Sequence, residues 1–373
     1  MKKVVFIQRV LKKYRVTFFE LLRSNLLQKG IELILIHGRE GTKESLRKDA
    51  GFLNWATEIR NIYFPFGLLY QPCLKLTKDA DLVIVEQANR YLLNYLLMIR
   101  KLFSKQKIAF LGHGITRQKK AGSLSNIFKK SIIKNVDWWF AYTNGVRRLI
   151  ISRGFPEEKV TSFQNAFDTG PLIKKKELLT KEEILAVKER IGLGDGPVGI
   201  FCGGMYREKR VGFLLESCQR IKKNLPDFEM LFLGSGSDAY LVRDMARENK
   251  WMHYIGPCFE EEKVVYFMLS DLFLLPGLVG LAVLDSFALE TPIITTKFPY
   301  HSPEVEYIQN GINGIITEDN LDSYVAAVRE VLLNREKLNR LKKGCKESIG
   351  NYTVEKMVEN FSRGAIECLG YER

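Results

Sequence analysis

Three short stretches place glycine where a strand gives way to a helix: CGGMYREKR (202–210), LGSGSD (233–238) and LPGLVGL (275–281). Glycine in such a turn lets backbone N–H groups approach a phosphate, and the N-terminus of the next helix adds a favourable dipole. Gly203 and Gly204 stand in the first turn, Gly234, Ser235 and Gly236 in the second, and Gly277 and Gly280 in the third. One such turn needs no ligand, because tight turns demand glycine on steric grounds alone. Three in succession, with Arg207 and Lys209 beside the first, fit a diphosphate whose charge the two cations would neutralise. The same two residues also fit a solvated helix start, and spacing does not choose between the readings. Asp285 falls one turn into the helix after the third turn. A buried carboxylate needs hydrogen-bonding partners, and sugar hydroxyls are suitable donors; a partly exposed helix acid is the alternative. His113, in LGHGIT, closes a strand between two glycines and would face a ligand cleft, with His37 similarly placed at the end of ELILIHG.

The elements that must position these residues alternate between β-rich runs and helical periodicity. In the first half, VVFIQ (4–8), ELILIHG (32–38), LVIVE (82–86), KIAFLGHG (107–114) and DWWFAYT (137–143) read as strands. Helical patterns fall near 17–28, 91–103, 124–134 and 145–154. A charged linker near IKKKELLTKEE (173–183), whose later part opens a helix, leads to a second series: PVGIFCGG (197–204), FEMLFLG (228–234), MHYIG (252–256), LFLLPG (272–277) and PIITT (292–296), again separated by helices, one of them near EEEKVVYFML (260–269). Such alternation specifies a parallel, doubly wound sheet in each half, with ligands beyond the carboxyl ends of the strands. Trp138 and Trp139 pack the two faces of one strand. Glu304, after Ser302-Pro303, suits the first turn of a helix, and NGING (310–314) is turn chemistry before a short strand. Asp79-Ala80-Asp81 has the form of a metal-binding D-x-D, but it precedes a strand and so lies at the end away from the expected cleft.

The 373 residues are enough for two domains, and no apolar run is long enough for a spanning helix. The start reads as a first strand rather than a leader. Six scattered cysteines without a C-x-x-C pair fit neither a disulfide framework nor a zinc site, and point to a reducing cytosol. The net charge of +14 is uneven: residues 1–170 hold 30 Lys+Arg against 13 Asp+Glu, and the rest hold 27 against 30. A basic first half with apolar residues interleaved, as in SNIFKKSIIKN (125–135), suits an anionic membrane surface. Nucleic acid is not expected, because no groove-reading module is present.

With these residues in view, the chain resembles the retaining glycosyltransferases of family 4, the group 1 glycosyl transferases, most strongly over 199–314. GIFCGGMYREKR resembles the family's strand–loop segment whose lysine, here Lys209, contacts the donor diphosphate. Gly204 stands where the family often has arginine, so Arg207 would supply the second cation. LPGLVGLAVLDSFA resembles the family's E-x7-E region: its second acid matches Asp285, implied to bind the nucleotide ribose, and its first falls on Gly277. The amides that follow match Val279, Gly280 and Leu281. QNAFDT (164–169) is similar to the family's N-G-x-D segment, and LGHGIT resembles the loop whose histidine faces donor sugar and acceptor.

The resemblance implies an α/β protein of the GT-B fold, two Rossmann-like doubly wound domains facing a central cleft. The domains would be an acceptor domain over 1–170, a donor domain over 171–350, and a C-terminal helix (351–373) packing back on the first. It implies transfer of a hexose from a nucleotide-diphospho sugar to a lipid-linked or polysaccharide acceptor, with retention and without metal or other cofactor. The setting would be the cytoplasmic face of the membrane in cell-surface polysaccharide synthesis. A nucleotide-sugar epimerase of the same fold, or a silent nucleotide-binding partner subunit, are the rival expectations; Gly277 keeps the second open.

Overall fold

A computed structural model describes residues 1–41, 49–114 and 135–370. The chain divides into two compact units, Met1–Asp168 with Thr353–Arg373, and Thr169–Tyr352.

The first unit is built on seven parallel strands: β1 (Lys2–Gln8), β2 (Ile31–Gly38), β3 (Thr57–Ile59), β6 (Leu82–Glu86), β7 (Lys107–Gly112), β8 (Trp138–Ala141) and β9 (Val160–Ser162), in the order β3-β2-β1-β6-β7-β8-β9. The central strands are continuous apolar runs because both sheet faces are covered. Val4 to Ile7 and Leu82 to Val85 are all buried. A small antiparallel ribbon, β4 (Ile62–Tyr63) with β5 (Leu69–Tyr70), lies outside this sheet. Strand order reverses between β1 and β6, the switch point where doubly wound sheets open for ligands.

The C-terminal helix Val354–Leu369 belongs to this unit. It packs against the helix Val16–Gln28 and β9, and Phe361 stacks on Phe140 with centroids 4.0 Å apart, amid Phe6, Phe18 and Phe163. Gly364 permits this approach, since a Cβ there would meet the Thr161 side chain. Trp139 is fully buried and Trp138 nearly so, its indole N–H donating to Thr161 Oγ1 at 2.9 Å.

The second unit has six parallel strands: β10 (Val198–Cys202), β11 (Glu229–Leu233), β12 (Met252–Gly256), β13 (Leu272–Leu274), β14 (Ile293–Thr296) and β15 (Gly314–Thr317), ordered β12-β11-β10-β13-β14-β15. This is the dinucleotide-fold order, with its switch point between β10 and β13.

The charged stretch 173–183 opens a helix in its later part, as expected, but its earlier part is helical too. It lies within two helices, Gly170–Leu178 and Lys181–Ile191. Pro171 opens the first, and the second has a capping box between Thr180 and Glu183 and ends on Gly192 in the left-handed conformation. Its charges occupy exposed faces. The expected helix at 260–269 is a 3-10 turn, Glu260–Lys263, followed by the short helix Val264–Met268. The short edge strands β3 and β9, three residues each and rich in polar side chains, carry no clear sequence pattern. The expected helix over 124–134 and the basic runs Lys119-Lys120 and Lys129-Lys130 lie outside the described residues.

Candidate functional site

The three glycine turns of the second unit meet at the carboxyl edge of its sheet, at and beside the β10/β13 switch point. The first two interlock through backbone. A Cβ on Gly234 (φ 137°) would overlap the carbonyl of Gly203, and one on Gly236 (φ 151°) would overlap that of Met205. Only glycine fits, on space and on φ alike. Met205 N–H donates to Ser235 O at 2.8 Å, and Gly203 N–H to Leu233 O at 3.0 Å. Ser235 is exposed, and Gly203 and Gly204 are partly so.

The third turn is bound to the first in the same manner. Leu278 N–H donates to Glu208 O at 2.8 Å, and Lys209 Nζ donates to Leu278 O at 2.7 Å. At Gly277 a Cβ would lie 2.6 Å from Lys209 O and closer still to Glu208 O. The position aligned with the family's first acid therefore has no room for any side chain; the backbone of 208–209 fills it.

Lys209 ends a 3-10 turn, Arg207–Lys209, and is 6% exposed. Burial pulls its ammonium down from the ordinary lysine value to about 8. An ammonium has three donors, and the Leu278 carbonyl takes one. No carboxylate pairs with Lys209 among the described residues. Arg207, by contrast, is exposed on the same turn. The following Arg210 is structural: its left-handed backbone (φ 57°) starts the next helix, and its guanidinium lies over Phe213 and Phe298 and pairs with Asp319.

Asp285 is 7% exposed on the helix Ala282–Ala288. Its Oδ1 accepts from Lys263 Nζ at 2.6 Å. Burial lowers the Lys263 pKa, but the charge and hydrogen bond of Asp285 outweigh this and leave it raised, so the ammonium stays charged. Cys202, at the end of β10, lies within electrostatic reach of Lys209, Lys263 and Asp285; burial pushes its thiol up to about 12, which keeps it neutral. The amide at Val279 is not free for a phosphate. It donates to His301 Nδ1 at 2.9 Å, which corrects the expectation for that residue. The Gly280 and Leu281 amides, at the start of the helix, have no protein acceptor among the described residues. Glu304 is buried in the 3-10 turn Pro303–Tyr307.

The first unit has its own carboxyl edge. His113 is exposed just beyond β7 and stacks flat on Tyr142, centroids 4.3 Å apart and planes 17° from parallel. Arg15 is buried, donating to Asn165 Oδ1 at 2.6 Å and lying 6.0 Å from the Tyr142 ring centroid. Glu86 ends β6; burial raises its pKa, opposed by the charge of Arg9, and Tyr91 Oη donates to it at 3.3 Å. His37 is buried, with Nδ1 3.4 Å from Gly38 O. Asp81 is tied to Lys2 Nζ at 2.7 Å and to the Lys3 amide at 2.8 Å, at the amino end of the sheet.

Sequence reasoning missed Lys263, His301, Arg15, Tyr142 and Glu86. Glu86 had a usable signal, since it is the last residue of a central strand. Lys263 had none, because EEEK reads only as the charged start of the helix expected over 260–269.

Residues 196–334 match the family described as glycosyl transferases group 1. The matched stretch lies wholly within the second unit. The alpha-monoglucosyldiacylglycerol synthase of Acholeplasma laidlawii is 26% identical to this chain over 183 residues, 47% of this chain and 45% of that protein. The chain thus spans less than half the length of that relative. Among solved structures, a glycosyltransferase from Rickettsia africae ESF-5 superposes with a TM-score of 0.73 at 15% identity, over 100% of this chain and 99% of that one. Anabaena Alr3699/HepE in complex with UDP gives 0.73 at 11% identity, over 98% and 100%. At these identities the likeness is one of fold: two Rossmann-like parallel-sheet domains of the GT-B type.

Proposed function

We propose that the chain is a retaining, metal-independent glycosyltransferase. It moves a hexose from a nucleotide-diphospho sugar to a lipid-linked or polysaccharide acceptor in cell-surface glycan synthesis, working from the cytoplasmic face of an anionic membrane. The observation that carries this reading is Lys209, a buried cation without a carboxylate partner among the described residues, at the switch point of a group 1 glycosyltransferase unit. A diphosphate is the counter-anion such a site lacks. The name of the Acholeplasma relative, a glucosyldiacylglycerol synthase, favours a lipid acceptor.

The chemistry follows from charge. A nucleoside diphosphate leaves readily once its developing charge is met by preorganised donors. Lys209 meets it from within the protein, Arg207 from the exposed side of the same turn, and the Gly280 and Leu281 amides from the third turn. The turns around Gly203, Gly204, Gly234, Ser235 and Gly236 would border the nucleotide. Asp285, held by Lys263 through one oxygen, offers the other to the ribose hydroxyls. The departing phosphate oxygen takes the acceptor's proton, and His113 on the first unit would face the sugar and acceptor.

The test is transfer from radiolabelled UDP- and GDP-hexoses to lipids extracted from bacterial membranes, with Lys209→Met as the control. Lipid-soluble label made by the wild type and lost in the variant supports the reading; equal label in both contradicts it. The space filled at Gly277 favours one rival, a subunit that binds nucleotide without transferring sugar. It predicts nucleotide binding with no product across lipid and glycan acceptors.

A further inference from the structure

The approach to the third glycine turn is held at several backbone groups. Leu275 N–H donates to Ile294 O at 3.1 Å, Pro276 O accepts from Thr296 Oγ1 at 2.9 Å, and Leu278 is bonded through both N–H and C=O to the first turn. Val279, fully buried, is gripped on both sides by the segment after β14. Its C=O accepts from Ser302 N–H at 2.9 Å, and its N–H donates to His301 Nδ1 at 2.9 Å. The other ring nitrogen of His301, Nε2, lies 2.8 Å from Thr296 O. His301 is 6% exposed and Thr296 is fully buried.

These partners leave one protonation form. A backbone N–H can only donate, so Nδ1 presents its lone pair; a carbonyl can only accept, so Nε2 carries the hydrogen. Immediately beyond Val279 come Gly280 and Leu281, whose amides begin the next helix. A glycine turn of this kind has many alternative conformations in the absence of fixed neighbours. The direction of the next two amides is set where Val279 is clamped.

We propose that His301, as the neutral Nε2–H imidazole, is a positioning residue for the donor phosphates. It holds Val279 so that the Gly280 and Leu281 amides point where the diphosphate lies. This rests on the donor-site reading above and adds to it a residue that touches no substrate.

Two near-isosteric variants separate the ring's two bonds. His301→Asn keeps an oxygen near the Nδ1 position, able to accept from Val279. His301→Gln keeps an N–H near the Nε2 position, able to donate to Thr296, and loses the acceptor. The probes are UDP, GDP, ADP and CDP, titrated by calorimetry, with Tm measured alongside. For whichever diphosphate the wild type binds, His301→Asn should stay within about threefold, and His301→Gln should lose about tenfold or more, the effect of one well-aligned hydrogen bond. A purely structural role would lower both affinities in step with Tm. Equal affinities for the two variants, high or low, overturn the proposal. Should either variant not fold, 15N NMR of the wild-type imidazole decides: a protonated Nε2 and bare Nδ1 are expected, and a protonated Nδ1 overturns the assignment. If the wild type binds none of the four diphosphates, the donor-site reading falls and this one with it. If it binds one and His301→Gln binds equally well, only the role of His301 falls.

Discussion

The two carboxyl sheet edges of this chain are made of different material. In the second unit the edge is backbone. Gly234, Gly236 and Gly277 let three turns interlock at distances no side chain would allow, and Lys209, Asp285 and His301 are buried around that frame, with Lys263 half-buried beside them. In the first unit the edge is side chain: His113 on Tyr142, Arg15 on Asn165, Tyr91 on Glu86. A backbone frame suits a ligand part that is always the same, such as a diphosphate. A side-chain edge is easily varied and suits a part that differs among enzymes, such as an acceptor. Function concentrates on such loops and strand ends because the sheet behind them is rigid.

That contrast can be broken at several points. The largest effect is expected from Lys263→Met, which leaves the Asp285 carboxylate buried without its cation. Removing one partner of a buried pair costs about 3 kcal/mol, read as a fall in Tm, and nucleotide affinity should fall with it. Adding Asp285→Leu should recover stability but not affinity. If Lys263→Met is as stable as the wild type, the pair is not what holds this helix.

Gly277→Ala comes next. Its methyl group would overlap the 208–209 backbone, and overpacking of this kind costs about 1–3 kcal/mol. A variant of unchanged Tm would show that the turns are not locked together. The matching change in the first unit, His113→Ala, should leave Tm and nucleotide affinity unchanged while slowing transfer about tenfold or more, as loss of a positioned polar group does. Weakened nucleotide binding in that variant would erase the division of labour between the edges.

The smallest effect is on pH. Lys209 titrates near 8 in the free protein, and a bound diphosphate would raise that value. Affinity for the diphosphate should therefore be full below pH 8 and weaken by up to about tenfold per unit as pH rises above it. The free fold has the opposite dependence: folding lowers the Lys209 pKa below the ordinary 10.5, so its own contribution to stability improves as pH climbs from 8 toward 10.5. A calorimetric affinity flat from pH 7 to 9.5 would contradict the placing of Lys209 against the phosphates.

The same contrast explains what could be read from sequence. Backbone-built features leave a mark, because glycine is required where chain meets chain, and the three turns and their strands were legible for that reason. Even there the reading was partial. Gly234 and Gly236 are explained by close packing before any phosphate is invoked, and the Val279 amide belongs to His301. Side-chain features depend on partners far along the chain. Arg15 sits in a lysine-rich start and reads as a surface cation, yet it is buried by Asn165 and Met357 from distant segments. Lys263 finds its carboxylate 22 residues on. The helix Gly170–Leu178 reads as a linker because it buries only Leu172 and its second half is a charge run.

The central claim is that the second unit holds a nucleoside diphosphate against Lys209. Calorimetric titration of the wild type and of Lys209→Met with UDP, GDP, ADP and CDP tests it most directly. The account predicts that the wild type binds one of these and that the variant, folded and with a Tm no lower, binds it at least about a hundredfold more weakly, the loss of a charge-assisted contact in a buried site. Binding of equal strength in the two proteins, or no binding by the wild type, would contradict it.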